Sequence, residues 1–245
     1  MRPRIAIPLP HSTDHEYAQR AIPQYERAVA LAGAESLRIP LGLSQTDLTK
    51  LVSSCEAVLL PGSKADLDPS KFGQARSPRT AAADALREET DFRLLEDAFA
   101  QRKPVLCICY GLQSLNVFRG GSLVQHIPDF LPEENRSKVN HEAGKKVAVA
   151  HTVEIAGDSL LATIVRAEAQ SPIIVPVNSS HHQSAEAIGD GLRIVARCPD
   201  DGIVEALEGT SPEQFLLAVQ WHPERSVDED ETSRAIFRAL IHAAG

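Results

Sequence analysis

Short apolar runs alternate along this chain with stretches whose apolar residues recur every three or four positions. RIAIPLP (4–10) reads as a first strand. Over 15–33, Tyr17, Ile22, Tyr25, Val29 and Ala32 share one face of a helix that closes at Gly33. SLRIPL (36–41) is a second strand, Ser44 caps a helix with Leu48, Leu51 and Val52 on its apolar side, and EAVLLPG (56–62) is a buried strand stopped by Pro-Gly. The order is βαβαβ. A polar loop over 63–79 is long enough to suggest a functional role, and a long helix over 80–102 follows it.

PVLCIC (104–109) is apolar at every position, as a parallel strand buried on both faces requires, and YGLQSLNVFRGG continues it as a helix ended by two glycines. Residues 123–146 are polar and irregular and are expected to form a surface excursion. Beyond them the pattern predicts strands at VAVAHTVEI, IIVPV, LRIVAR, IVEALE and FLLAVQW, a short helix capped at Asp158, and a last helix over about 227–243. No internal repeat and no linker interrupts the chain, so the expectation is one domain over 1–245. It has three layers, α/β/α, around a mostly parallel central sheet of flavodoxin-like type, with added antiparallel strands in the second half.

Length supports this, since 245 residues can bury roughly 70–75% of their unfolded surface. Charge narrows the partners: a formal net charge of -8 with no Lys/Arg-rich run argues against nucleic acid. A short, proline-broken N-terminal apolar run and the lack of an 18-residue apolar stretch argue against a leader or membrane span, so a cytoplasmic protein is expected. Four cysteines, at 55, 107, 109 and 198, are too scattered for a disulfide framework and are read as reduced thiols.

Cys107 and Cys109 pose the chemical question, because C-I-C can be half a metal site, two buried thiols or a presented nucleophile. Neither Cys55 nor Cys198 supplies the second close pair that a structural zinc site wants. Cys107 fits a buried strand thiol, pointing to the same side of the chain as Cys109 but within the sheet. Cys109 falls at the strand-to-helix turn, where a helix N-terminus stabilises a thiolate, with Gly111 two residues on as in the elbows that present nucleophilic serines. A base is available in AVQWHPE, where His222 ends a strand and Glu224 lies two places on, on the same side of an extended chain. A carboxylate so placed can orient an imidazole, although an isolated H-x-E also suits a strand-end histidine beside an exposed glutamate.

LLPGS (59–63), PVLCICYGLQSLN (104–116), GGSLVQ (120–125), VNSSHHQ (177–183), DGIVEALE (201–208) and AVQWHPE (218–224) occur in an order that resembles the class I glutamine amidotransferase-like superfamily. Within it the chain is most similar to the peptidase C26 branch, which holds γ-glutamyl-γ-aminobutyrate hydrolases. The order Cys, His, Glu distinguishes it from α/β-hydrolases, in which the acid precedes the histidine.

The resemblance implies Cys109 as nucleophile, His222 as general base and acid, Glu224 as the group that orients it, and the backbone N–H groups of Ser63 and Tyr110 as an oxyanion hole. It implies that Gly62, Gln113, His181, His182 and Gln183 border a γ-glutamyl pocket, and that Glu205 is a pocket or support residue. The plain alternatives are a helix-face hydrogen bonder for Gln113, a polar turn for His181–Gln183 and a solvated strand residue for Glu205. Two departures stand out: Cys107 and Ser63 occupy positions where many relatives have glycine.

The implied reaction is hydrolysis of a γ-glutamyl amide through a thioester, in polyamine and putrescine catabolism, with a small-molecule γ-glutamyl substrate and neither metal nor organic cofactor. A homodimer is compatible with it. Two other readings stay open: a glutaminase subunit that supplies ammonia to a separate synthetase, and a non-catalytic binding module.

Overall fold

The computed structural model describes residues 2–145, 147–165 and 172–245. The first half winds as β1 (Arg4–Pro8), α1 (His15–Leu31), β2 (Glu35–Ile39), α2 (Gln45–Val52), β3 (Ala57–Leu60), α3 (Ala85–Gln101), β4 (Val105–Ile108) and α4 (Tyr110–Phe118). The second half adds β5 (Leu123–Val124), α5 (Ile127–Phe130), β6 (His151–Ile155), α6 (Leu160–Val165), β7 (Ile173–Val177), β8 (Ser184–Ala185), β9 (Leu192–Arg197), β10 (Val204–Gly209), β11 (Leu216–Val219) and α7 (Glu231–Ala244). Nine strands form one sheet in the order β2-β1-β3-β4-β11-β10-β9-β6-β7, and β5 pairs separately with β8. From β2 to β11 every pairing is parallel; from β11 to β7 every pairing is antiparallel. The expected α/β/α architecture, with antiparallel strands added by the second half, is the one found.

Strand periodicity divides the core. Ile5, Ile7, Ala57, Leu59, Leu106 and Ile108 pack with α1, α6 and α7 on one face, and Ala6, Val58, Leu60, Val105 and Cys107 pack with α2, α3 and α4 on the other. β1, β3 and β4 are covered on both sides, which is why they read as unbroken apolar runs. Each fully buried aliphatic side chain contributes roughly 1.5–3 kcal/mol of transfer free energy, so the two faces together carry most of the drive to fold.

Several boundaries move. The helix expected from residue 80 begins at Ala85, with Asp84 accepting from Arg87 N. Residues ahead of it are drawn against the 63–68 loop instead, where Asp66 Oδ2 accepts from Ala81 N at 2.6 Å and Asp66 bridges Ala83. Asp158 is not the cap of the short helix: its carboxylate pairs with Arg193, and Ser159 Oγ accepts from Ala162 N at 2.9 Å. The last helix starts at Glu231 behind Asp230, which accepts from Thr232 N and Ser233 N. The 123–146 excursion includes β5 and α5 and buries Ile127, Leu131 and His141, so it is more than a surface loop; residue 146 lies outside the described residues. The strand expected over 147–155 begins at His151, with Ala150 N donating to Val177 O at 2.8 Å just ahead of it.

Candidate active site

Chain ends from β1, β3, β4 and β11 meet at the carboxyl edge of the parallel strands, the side on which open α/β sheets bind ligands. Cys109 sits there between β4 and α4 with φ 54° and ψ −105°, a conformation costly for a non-glycine residue and one that turns a side chain sharply out of the strand direction. Its N–H remains tied to β11, donating to Val219 O at 2.8 Å. The turn also breaks the period-2 alternation, which corrects one expectation: Cys107 and Cys109 do not point to the same side. Cys107 is fully buried under α3 and α4, whereas Cys109 packs with the opposite core and opens onto a cavity.

Gly111 lets α4 start this close to β3. A Cβ there would stand 2.3 Å from Leu60 O and 2.8 Å from Leu60 Cβ. Gly62 is confined from the other direction, since its Cβ would lie 3.0 Å from His222 Cε1 and 3.1 Å from the Tyr25 hydroxyl.

The cavity, about 640 Å³, is lined by Cys109, Tyr110, Ser63, Gln113, His181, His182, Gln183, His222 and Glu224, with Tyr17, Arg20, Lys64 and Arg225 among its other walls. His222 Nδ1 lies 2.7 Å from Glu224 Oε1, and Cys109 stands beside the same imidazole in the cavity: a Cβ placed on Gly62 would lie 3.0 Å from His222 Cε1 and 3.6 Å from Cys109 Cβ. Both members of the His–Glu pair are buried. Burial disfavours the imidazolium, but the Glu224 carboxylate and then Cys109 outweigh it and push His222 up to about 9. For Glu224 burial acts upward, yet the His222 charge and hydrogen bond hold the carboxyl below its ordinary range.

Gly62 N donates to the Tyr25 hydroxyl at 3.0 Å, and Ser63 Oγ donates to Pro10 O at 2.7 Å. Among the described residues the N–H groups of Ser63 and Tyr110 have no protein acceptor, so both are available where the elbow and the 61–63 turn face each other. Gln113 reaches Gln183 O at 3.3 Å and Gln220 Oε1 at 3.4 Å, His182 Nε2 lies 2.9 Å from Asp66 Oδ1, and Gln183 Nε2 donates to Gln125 O. Thus Gln113 and His181–Gln183 all border the cavity. Glu205 does not: it is fully buried behind it, on β10, so the solvated-strand reading of that residue is overturned.

Two supports were missed in the sequence. Asn178 accepts from His222 N and donates to His222 O, both at 2.9 Å; it stands in the VNSSHHQ run but attracts no attention beside the histidines. Arg87, fully buried, pairs with Asp91 at 2.7 Å, donates to Pro61 O and Pro10 O, and lies over the Tyr110 ring at 4.8 Å. A charged residue on the core-facing side of a helix was its signal.

Comparison with known proteins agrees with this layout. The model of the family described as Peptidase C26 matches residues 5–224. A Mycobacterium tuberculosis protein named "putative glutamine amidotransferase" is 35% identical over 221 residues, 90% of this chain and 66% of that protein, so the chain spans just under two thirds of that relative's length. The gamma-glutamyl-gamma-aminobutyrate hydrolase PuuD of Escherichia coli is 32% identical over 224 residues, 90% of this chain and 84% of that protein. In overall shape the chain matches PurLQS from Thermotoga maritima, with TM-score 0.61, 17% identity and 99% of each chain covered.

A doubly covered sheet with its cysteine elbow and its His-Glu pair in one cavity defines a glutamine amidotransferase-like fold. The chain belongs to the peptidase C26 family and is a glutamine amidotransferase-like hydrolase.

Proposed function

We propose that the protein hydrolyses γ-glutamyl amides, γ-glutamyl-γ-aminobutyrate or a related γ-glutamyl amine, with Cys109 as the nucleophile. One observation carries the reading: Cys109, on a strained turn, opens into the same cavity as an imidazole whose Nδ1 is held at 2.7 Å by a buried carboxylate. His222 takes the thiol proton and the Cys109 sulfur attacks the γ-carbonyl carbon. Charge that develops on the carbonyl oxygen is met by the N–H groups of Ser63 and Tyr110, donors whose individual removal costs about 3–4 kcal/mol in comparable sites. The C–N bond then breaks, His222 gives its proton to the departing amine, and a γ-glutamyl thioester is left on Cys109. Water, deprotonated by His222, opens the thioester to give glutamate and the free thiol. Glu224 remains ionised throughout, fixing the tautomer and stabilising the imidazolium.

Cavity chemistry supports the substrate class. Arg20, Lys64 and Arg225 stand at the walls, suited to the carboxylates of a γ-glutamyl compound, and Gln113 and Gln183 offer amide hydrogen bonds deeper in. Incubating the purified protein alone with glutamine and a panel of γ-glutamyl amines tests the proposal. Release of free amine by the wild type and not by Cys109→Ala is expected. Turnover of glutamine only after a second protein is added would instead indicate an ammonia-supplying subunit, a role in keeping with the name of the mycobacterial relative.

A further inference from the structure

Behind the cavity, four side chains from distant parts of the chain converge on one buried point: His141 of the excursion, His151 at the start of β6, His181 between β7 and β8, and Glu205 on β10. Each is at least nine-tenths buried, and one donor atom from each lies within 4.8 Å of all the others. His141 Nδ1, His151 Nε2 and His181 Nε2 stand 3.1, 3.4 and 3.5 Å from the same Glu205 Oε1. Among the described residues, none of these three nitrogens has a hydrogen-bond partner of good geometry, and neither has either oxygen of Glu205.

The outward nitrogens of the rings are all committed. His141 Nε2 faces Asp201 Oδ2 at 2.8 Å, His151 Nδ1 faces Thr152 O at 3.0 Å, and His181 Nδ1 faces Gln183 O at 2.8 Å. Carbonyl and carboxylate oxygens only accept, so the ring proton of each histidine is on the outside and the inner nitrogens of the neutral rings present lone pairs. Three lone pairs facing a carboxylate is an arrangement of acceptors against an acceptor. Protonating His141 alone, between Asp201 and Glu205, would satisfy one of the three inner contacts and leave two. Protonating all three rings would bury three cations against Glu205 and Asp201, a costly alternative.

A divalent cation removes the conflict, and the outward bonds to a carboxylate and two carbonyls are the supports that metal-bound histidines ordinarily have. Dimensions agree as well. Nitrogen and oxygen ligands at about 2.0–2.1 Å around a tetrahedral ion stand about 3.4 Å apart, close to the observed spacing from Glu205. We propose that His141, His151, His181 and Glu205 form a closed structural site for a first-row divalent ion of the zinc type. It is separate from the hydrolytic chemistry and independent of the proposed substrate. Four protein ligands would fill a tetrahedral ion's coordination and leave no position for a substrate. Bound there, the ion would pin the excursion and the β7–β8 segment to the sheet. That segment carries Asn178, which grips His222, and His181–Gln183, which line the cavity.

Metal content of the untagged full-length protein, purified without chelator and dialysed exhaustively, tests the site, with Cys109→Ala as a second sample so that a thiolate in the active site cannot hold the ion. About one zinc per chain is expected in both. After chelator stripping, added Zn2+ should restore the content and raise the thermal midpoint by several degrees. His151→Ala and Glu205→Gln should each lower retained zinc at least tenfold. If those variants fail to fold, Co2+ loaded into the stripped wild type should show the intense visible bands of a four-coordinate ion without a thiolate-to-cobalt charge-transfer band. Under a tenth of a zinc per chain with no thermal response to Zn2+ would overturn the proposal. So would metal lost on Cys109→Ala, a thiolate band in the cobalt form, or full zinc retention in folded Glu205→Gln.

Discussion

Asn178 holds the main chain of His222 from both sides, accepting from its N–H and donating to its carbonyl at 2.9 Å each. His222 has left β11 at that point and Pro223 follows it, so no sheet partner fixes its backbone, and the asparagine takes that place. Asn178→Ala would leave the buried His222 N–H unpaired, at a cost of about 1–3 kcal/mol, while His222 O would keep only its bond from Arg225 N at 3.1 Å. We expect a lower thermal midpoint, a fall in kcat of tenfold or more and a much smaller change in KM. Steady-state kinetics and a melting curve on the same preparation check this.

The coupling of His222 to Glu224 makes stability depend on pH in a defined direction. His222 is raised from its ordinary 6.5 to about 9, so its contribution is complete below about 6.5 and is lost as pH rises through about 9. Glu224 is lowered from 4.5, so its contribution is present above about 4.5 and is lost as pH falls through its folded value. The gap in melting temperature between wild type and Glu224→Gln should therefore be widest between about pH 4.5 and 6.5 and narrow towards pH 9. A gap that widens above pH 7 would contradict the assignment. NMR titration of His222 should also show a lower pKa in Glu224→Gln than in wild type.

The four thiols should differ in reactivity. Burial pushes Cys107 well up and Cys198 to about 12, and it raises Cys55 as well; Cys109 alone of the four opens onto the cavity. Iodoacetamide on the folded protein should alkylate one thiol, mapped to Cys109 by peptide mass spectrometry, with no labelling in Cys109→Ala. Labelling of Cys107 before unfolding would mean that the elbow opens far more than its packing suggests.

Gly111→Ala places a Cβ against the main chain of β3, where neither partner can yield. A destabilisation of roughly 3 kcal/mol or more is expected, together with loss of activity in whatever folded protein remains, because α4 carries Tyr110 and the elbow. Chemical denaturation measures the first and the γ-glutamyl assay the second.

Much of this was readable before any coordinates. Apolar runs split by helical periodicity gave the layers, because a strand covered on both faces has to be apolar throughout. Cys109, His222 and Glu224 were legible because a strand-to-helix turn and an i, i+2 spacing are local. What lay hidden depends on tertiary contact. The positive φ of Cys109 reverses its direction relative to Cys107, and Arg87 crosses from α3 to carbonyls in two loops. Histidines 141, 151 and 181 meet Glu205 only after β6 and β10 join one sheet. No spacing rule spans those separations.

The central claim is covalent catalysis by Cys109, and rapid-quench mass spectrometry during turnover of a γ-glutamyl amine addresses it most directly. A γ-glutamyl adduct on the peptide containing Cys109, sensitive to hydroxylamine and absent along with all amine release in Cys109→Ala, is the predicted result. Amine release that continues at the wild-type rate in Cys109→Ala, with no adduct in either protein, would contradict it.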